Sequence, residues 1–365
     1  MKVSLSEVCT IQYGYAFNST KFSTEVGVPL VRIRDVVRGY SETYTSEKCA
    51  DDYIVHDGDM LIGMDGEFNV AFWKGGKAYL NQRVCRLVPL DVVDKIYLFY
   101  YMRKALKEIE NRTPFVTVKH LSAKQLNSII MALPNLDEQR RISDKLRNID
   151  ELIELRKEQI IKFDLLVKSR FIEMFVNKDY PTKTIDEVSF GKGEYGAQSA
   201  STAYVQGRPR YVRITDINDD GTLNDDVVTS VNLADDDQYR LEYGDFMFAR
   251  MGATVGKTYA FIEGNQIFAG YLIRYKLNME LINPRYLFCY TKLDEYWNWV
   301  RLNQSGAAQP GINAKKFGSL RIPQPPIDLQ NQFAAFVEQV DKSKYDFLRA
   351  YIACVNMLKY GQNVL

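Results

Sequence analysis

The chain is poor in the residues that self-contained catalysis or a cross-linked scaffold usually needs. Only two histidines, His56 and His120, occur in 365 residues, so histidine-based catalysis is thinly supplied. The cysteines (Cys9, Cys49, Cys85, Cys289 and Cys354) are odd in number and scattered, with no C-x-x-C pair. That spacing argues against a disulfide framework or a zinc site and for a reducing compartment, the cytoplasm. No apolar run approaches the roughly 20 residues of a membrane span, and no basic–apolar–small leader is visible. The formal net charge is only +1, so no global basic field advertises a polyanion. A local basic face would still suffice for one.

What the chain does have is repetition. Val31-Arg32-Ile33-Arg34-Asp35-Val36 returns as Val212-Arg213-Ile214-Thr215-Asp216-Ile217, a shift of 181. Gly58-Asp59 returns as Gly244-Asp245 (186), Tyr97-Leu98-Phe99 as Tyr286-Leu287-Phe288 (189), and Ala123-Lys124 as Ala314-Lys315 (191). The order holds and the shift only grows, as small loop insertions would make it. The period lies far above that of a solenoid, so a whole domain is duplicated.

Residues 1–135 read as a mixed α/β domain. Strands are expected at 28–36, 59–64, 78–80, 84–88 and 129–133, a helix over 96–111, and a short helix capped by Ser122. Residues 179–326 repeat these parts: strands at 210–217, 245–250, 271–277 and 319–322, and a helix over 284–302. Between them, residues 136–178 differ sharply. Nine basic and nine acidic residues crowd 136–176, with neither Gly nor Pro. Ile142, Leu146, Ile149, Ile153, Ile160, Phe163 and Val167 follow alternating steps of four and three, a coiled-coil seam of about five heptads. Residues 327–365 carry a matching seam: Phe333, Val337, Val340, Phe347, Tyr351, Cys354 and Leu358.

The fold class is therefore α/β (α+β): two similar mixed domains separated by two long helices. A narrow apolar stripe must be buried, and the other copy is the simplest partner. Two equivalent units in one chain relate naturally by a pseudo-twofold, which makes the helices antiparallel. Each would span roughly 60 Å, compared with about 34–36 Å between half-sites on one face of a duplex. The competing reading is that the helices merely homodimerise or hold an unrelated partner.

Leu133-Pro134-Asn135-Leu136-Asp137-Glu138-Gln139-Arg140-Arg141-Ile142 resembles the "P-x-x-x-E-Q-x-x-I" segment that opens the central conserved helix of type I restriction-modification specificity subunits. Phe171-Ile172-Glu173-Met174-Phe175 resembles that helix's end. Gly244-Asp245-Phe246-Met247-Phe248-Ala249-Arg250-Met251-Gly252 resembles the "G-D-hydrophobic-x-x-x-R-x-G" signature of their target recognition domains. Two positions depart: Met64 replaces the arginine in the first domain, and Leu329 replaces the glutamate in the second helix. The resemblance implies a non-catalytic subunit that binds double-stranded DNA with a two-part recognition sequence. It also implies two docked methyltransferase subunits and motor-nuclease subunits, in a bacterial or archaeal cytoplasm, with S-adenosylmethionine, ATP and Mg on those partners.

An enzyme is the contrasting class. Gly191-Lys192-Gly193-Glu194-Tyr195-Gly196 matches G-x-G-x-x-G, but a dinucleotide site needs a helix next, and Ala197-Gln198-Ser199-Ala200 opens one poorly. No nuclease triad is evident, and Gln324-Pro325-Pro326-Ile327 lacks the Asp or Asn of an amino-methyltransferase tetrapeptide. A third reading is a coiled-coil adaptor whose repeated domains bind protein.

Base readout needs forked donors or amides, and phosphate contact needs cations. Four pairs of stretches offer them. Arg250, Thr254 and Lys257 flank a glycine-rich loop that could approach a phosphate or simply turn a hairpin. The first domain places Glu67, Asn69 and Lys74 there. Arg32, Arg34 and Arg213 sit on the repeated strand beside Asp35 or Asp216, and could equally buttress the fold. Arg112, Thr113, Thr117 and Lys119 correspond to Gln304, Ser305 and Gln309. Near the amino end, Tyr13 and Tyr15 correspond to Tyr195 and Gln198, and either tyrosine could instead fill a core.

Overall fold

The computed structural model describes residues 1–113, 119–233, 235–306 and 310–364. It divides into two compact units, Met1–Glu158 with Leu348–Leu365, and Gln159–Phe347.

In the first unit an antiparallel sheet has the spatial order Cys9–Tyr13, Val84–Pro89, Met60–Gly63, Val70–Phe72. Strand Met60–Gly63 is buried throughout because both its faces are covered. Met60 and Ile62 pack with Tyr97, Leu98 and Met102 of helix Lys95–Arg112, whereas Leu61 packs with Val31, Trp73 and Leu80. A second, five-stranded sheet contains the parallel pair Val28–Val31 and Ala78–Leu80. Lys2–Ser4 pairs with Ile130–Ala132 and so ties the domain's two ends together just ahead of Pro134.

The second unit rebuilds the same frame. Its antiparallel sheet runs Glu194–Tyr195, Leu272–Lys276, Asp245–Ala249, Thr258–Ala260, and Thr182–Thr184 pairs with Arg321–Pro323. The parallel pair is Arg210–Val212 with Gln266–Phe268.

Three expected elements differ. The strands expected over 28–36 and 210–217 stop at Val31 and Val212, and helix Ile33–Arg38 and the 3-10 turn Ile214–Asp216 follow. The cause is the repeated aspartate: Asp35 accepts the backbone N–H of Arg32 at 2.9 Å, and Asp216 that of Arg213 at 2.9 Å. A carboxylate at that spacing satisfies an orphan donor and nucleates a turn. The helix expected over 284–302 is two, Pro284–Tyr290 and Asp294–Asn303. Thr291 ends the first by bonding back to the Phe288 carbonyl at 2.7 Å, and its hydroxyl also meets that of Thr258 at 2.8 Å.

The long helices are Leu136–Phe175 and Ile327–Val364. Each unit contains a part of both. In the first unit Ile142, Leu146, Ile149 and Ile153 join the domain core together with Tyr351, Cys354 and Leu358. In the second, Phe171 and Phe175 pack edge-on against Phe333, and Phe163 meets Phe347 with ring centroids 5.3 Å apart. Lys344 reaches Asp164 at 2.6 Å. Contacts 163–347 and 171–333 run in opposite directions, so the segments are antiparallel within that unit. The seam residues Val167, Val337 and Val340 are half-buried or buried there, and Ile160 is half-buried.

One polar group fixes each helix to its domain. Gln139 is fully buried: its carbonyl accepts the Asp94 N–H at 2.8 Å, and its amide donates to the carbonyls of Val92 and Pro134 at 3.3 and 2.9 Å. Gln330, 191 residues later, is also fully buried and does the same with Asn283 N–H and the carbonyls of Leu281 and Pro325, at 2.9, 3.2 and 2.8 Å. This is the physical content of the glutamine in the helix-opening motif.

Candidate nucleic-acid interface

The Gly-Asp repeat is the root of each candidate reading surface. Gly58 and Gly244 take φ of 86° and 96°, a left-handed turn that an L side chain resists. The following aspartate then pairs with an arginine of the neighbouring strand: Asp59 with Arg86 at 3.0 Å, and Asp245 with Arg274 at 3.4 Å. Burial pushes the Asp245 carboxyl above its ordinary range even so. These pairs are structural, and they set the strand that leads into Met64 or Arg250.

At the end of that strand the first domain opens a cleft of about 450 Å³ lined by Ile33, Arg34, Val37, Asp65, Glu67 and Asn69. Three residues singled out from separate stretches of sequence thus converge. The Arg34 side chain is half-exposed, with Asp35 at 3.7 Å and the Thr43 hydroxyl at 3.4 Å. Lys74 is exposed beside Gly39. The Arg32 side chain is also exposed, its backbone N–H alone being spent on Asp35.

Sequence reasoning missed the group at the rim. Asp65 Oδ1 lies 2.5 Å from His120 Nδ1, Arg83 Nε lies 3.6 Å from Asp65, and Arg83 Nη1 is 3.4 Å from His120 Nδ1. The signal was present: a shift of 188 places Arg83 on Tyr271.

The second domain gathers a different set on the same frame. Met251 and Ser305 both bridge to Gly311, which carries the 304–306 segment to the loop after Arg250. The Arg250 guanidinium stacks on the Tyr195 ring, 4.8 Å from its centroid. The Tyr195 hydroxyl accepts the Ala314 N–H at 3.1 Å, which holds that ring in place. Gln198, Tyr271 and Ser305 are exposed and Gln304 is half-buried.

Other singled-out side chains are spent internally. Lys257 Nζ meets Asp219 at 2.7 Å and the Ile217 carbonyl at 3.4 Å. The glycine-rich loop uses its own amides: Gly252 N–H bonds to Pro310, Val255 to Gly252, and Gly256 to Ala249. These amides are spent in a packed turn, and Thr254 bonds back to Met251 at 3.3 Å. Arg213 is locked on Asp216 at 2.7 Å. Lys119 donates to the Glu110 carbonyl at 2.8 Å and Thr113 to that of Ile109 at 2.7 Å, so both cap helix Lys95–Arg112. Arg112 is exposed. Tyr13 packs against the core with its hydroxyl buried, while Tyr15 lies at the surface against Phe17 and Tyr53. Thr117 and Gln309 lie outside the described residues.

The G-x-G-x-x-G stretch runs into strand Glu194–Tyr195, not a helix. Among the described residues no group of three or more His, Cys, Asp or Glu side chains could hold a metal ion, and no helix is long and apolar enough to cross a membrane. Burial pushes the Cys9 and Cys85 thiols up to about 12, which leaves them protonated near neutral pH.

A family model described as the type I restriction modification DNA specificity domain matches the chain twice, over residues 1–162 and 177–356. The chain is 27% identical to the type I restriction enzyme EcoBI specificity subunit of Escherichia coli, covering 93% of this chain and 79% of that one. It is 22% identical to the MjaVIII specificity subunit of Methanocaldococcus jannaschii, over 92% and 88%. A type I S subunit from M. genitalium shares the fold, with a TM-score of 0.59 at 14% identity over 99% of this chain and 94% of that one.

Proposed function

Because the chain belongs to the type I restriction-modification DNA specificity family, we propose that each of its two repeated domains reads one part of a two-part DNA target. It is the DNA-target recognition subunit of such a complex. The observation that carries the two-part reading is one backbone frame presenting two chemistries. The first domain offers Arg34, Glu67 and Asn69 around a cleft. The second offers Tyr195, Gln198 and Ser305. Carboxylates and amides accept from or pair with amino-bearing base edges, whereas guanidinium groups suit phosphate or guanine. Different side chains on equal frames are what a target with two unlike halves requires.

The long helices carry a second role. They fix the gap between the two half-sites and dock two methyltransferase subunits, with motor-nuclease subunits joining the assembly. S-adenosylmethionine, ATP and Mg belong to those partners, and this chain contributes recognition rather than catalysis, in the cytoplasm. The absence of a surplus charge on this chain fits a subunit whose partners help to wrap the DNA.

Exchange of residues 1–135 for another recognition domain, within the assembled methyltransferase, tests the assignment. Methylome sequencing is expected to show one half of the target changed and the other retained. An unchanged target would refute it. Duplexes differing only in spacer length test the second role: affinity is expected to peak at one spacing, and indifference to spacing would sink the idea of a fixed gap.

A further inference from the structure

The two domains place a guanidinium on the same patch of the frame from opposite strands. Arg250 follows strand Asp245–Ala249, and its N–H bonds to the Tyr271 carbonyl at 3.0 Å. Its counterpart Met64 follows strand Met60–Gly63 and bonds to the Arg83 carbonyl, also at 3.0 Å. The next ladder partners, Ala249 with Leu272 and Gly63 with Val84, make 250/271 and 64/83 directly opposed pairs. Opposed residues share a face of the sheet. In one domain the arginine is on the first strand and an exposed tyrosine on the second. In the other a buried methionine is on the first and the arginine on the second.

We propose that Arg83 and Arg250 are equivalent phosphate-contacting residues, one per domain, each clamping the DNA backbone beside the bases its domain reads. This rests on the DNA-recognition reading above. Three observations favour phosphate over a base edge. First, the cation is retained at this patch although the neighbouring side chains differ completely, and what two unlike half-sites share is the phosphodiester. Secondly, both guanidiniums are steadied without being used up. Arg250 lies on the Tyr195 ring and its guanidinium approaches the Met251 sulfur at 3.5 Å; among the described residues no carboxylate lies within salt-bridge distance. Arg83 is half-exposed, with Asp65 along its Nε edge at 3.6 Å and His120 beside Nη1 at 3.4 Å. Thirdly, each lies beside its domain's candidate reading residues: Asp65, next to Arg83, lines the first domain's cleft, and Arg250 lies on the Tyr195 ring.

The test exploits the repeat itself. Arg250→Met and Arg83→Tyr install the residue that the other domain already carries at the matching position, so the frame tolerates each. In the full chain assembled with its methyltransferase subunits, affinity for the methylome-defined duplex is measured by fluorescence anisotropy over a range of salt. Each neutralised phosphate contributes about one to the slope of log K against log salt. Each substitution is expected to reduce the magnitude of that slope by about one, with the methylated sequence unchanged, and Arg250→Lys is expected to restore it. Three results would overturn the proposal: a parental slope in either variant, a methylated sequence relaxed at one position, or a lowered slope that lysine fails to restore. If the parent complex itself shows no salt-dependent DNA binding, the underlying reading fails instead.

Discussion

The carboxamide of Gln139 accepts the backbone N–H of Asp94 at 2.8 Å while fully buried. The same glutamine donates to the carbonyls of Val92 and Pro134. One side chain therefore satisfies three backbone groups that would otherwise be orphaned where the domain meets its long helix. Replacing it with leucine of similar volume leaves those groups buried without partners, at about 1–3 kcal/mol for each one that water cannot reach. Gln139→Leu is expected to lower unfolding free energy by at least roughly 2 kcal/mol in urea denaturation. A neutral effect would show that water replaces the amide. Gln330→Leu should behave alike, since its three contacts are the same.

A second prediction separates the two Gly-Asp turns by depth. Arg274 and Asp245 have side-chain exposures of 4% and 2%, whereas Arg86 and Asp59 have 16% and 28%. Removing one partner of a buried pair costs about 3–5 kcal/mol, because the remaining charge is left desolvated. Arg274→Met is therefore expected to destabilise the protein severely and Arg86→Met less, since water can reach Asp59. The pH dependence has a definite sign. Burial already raises the Asp245 carboxyl above its ordinary value. A group with a raised folded pKa favours folding at low pH and loses that contribution as pH rises. The Arg274→Met deficit should thus be largest near neutrality and shrink on acidification, which denaturant titrations at several pH values would reveal. A deficit that grew on acidification would contradict this account.

Much of this architecture is legible in the sequence, because the duplication and the helical seam are long-range patterns that survive local ambiguity. Seam positions such as Leu146, Ile153, Phe333 and Val337 are buried as their spacing implies. The failures are local. The run over 28–36 looks like a strand by its apolar content, yet Asp35 turns it after Val31 by capturing a backbone N–H. The stretch over 284–302 keeps helical periodicity through a break that a threonine hydroxyl enforces. At the candidate interface, residue type alone could not tell a free cation from a committed one. Lys257 and Arg213 carry the right charge, but nearby aspartates hold them. Arg83 went unmarked because its significance lies across the ladder, opposite Met64, and not in its own segment.

The third prediction concerns the first turn of each domain. Glu7 accepts the N–H and hydroxyl of Ser4 at 2.6 and 2.7 Å, and Glu187 those of Thr184 at 2.6 and 2.8 Å. These hydrogen bonds hold both carboxyls below their ordinary value of 4.5. A carboxylate with a depressed folded pKa contributes stability above its unfolded pKa, and the contribution disappears as pH falls through the folded value. Protonated glutamic acid and glutamine are close in shape and charge. Glu187→Gln should therefore melt below the parent at pH 7, and the two melting curves should converge as acidification protonates the folded carboxyl. The substitution Glu7→Gln should show the same convergence, since its contacts match. Both side chains are fully exposed, so each difference in Tm should be small and reduced further by salt. A difference that persisted unchanged into acid would mean that the glutamate acts by packing rather than by charge.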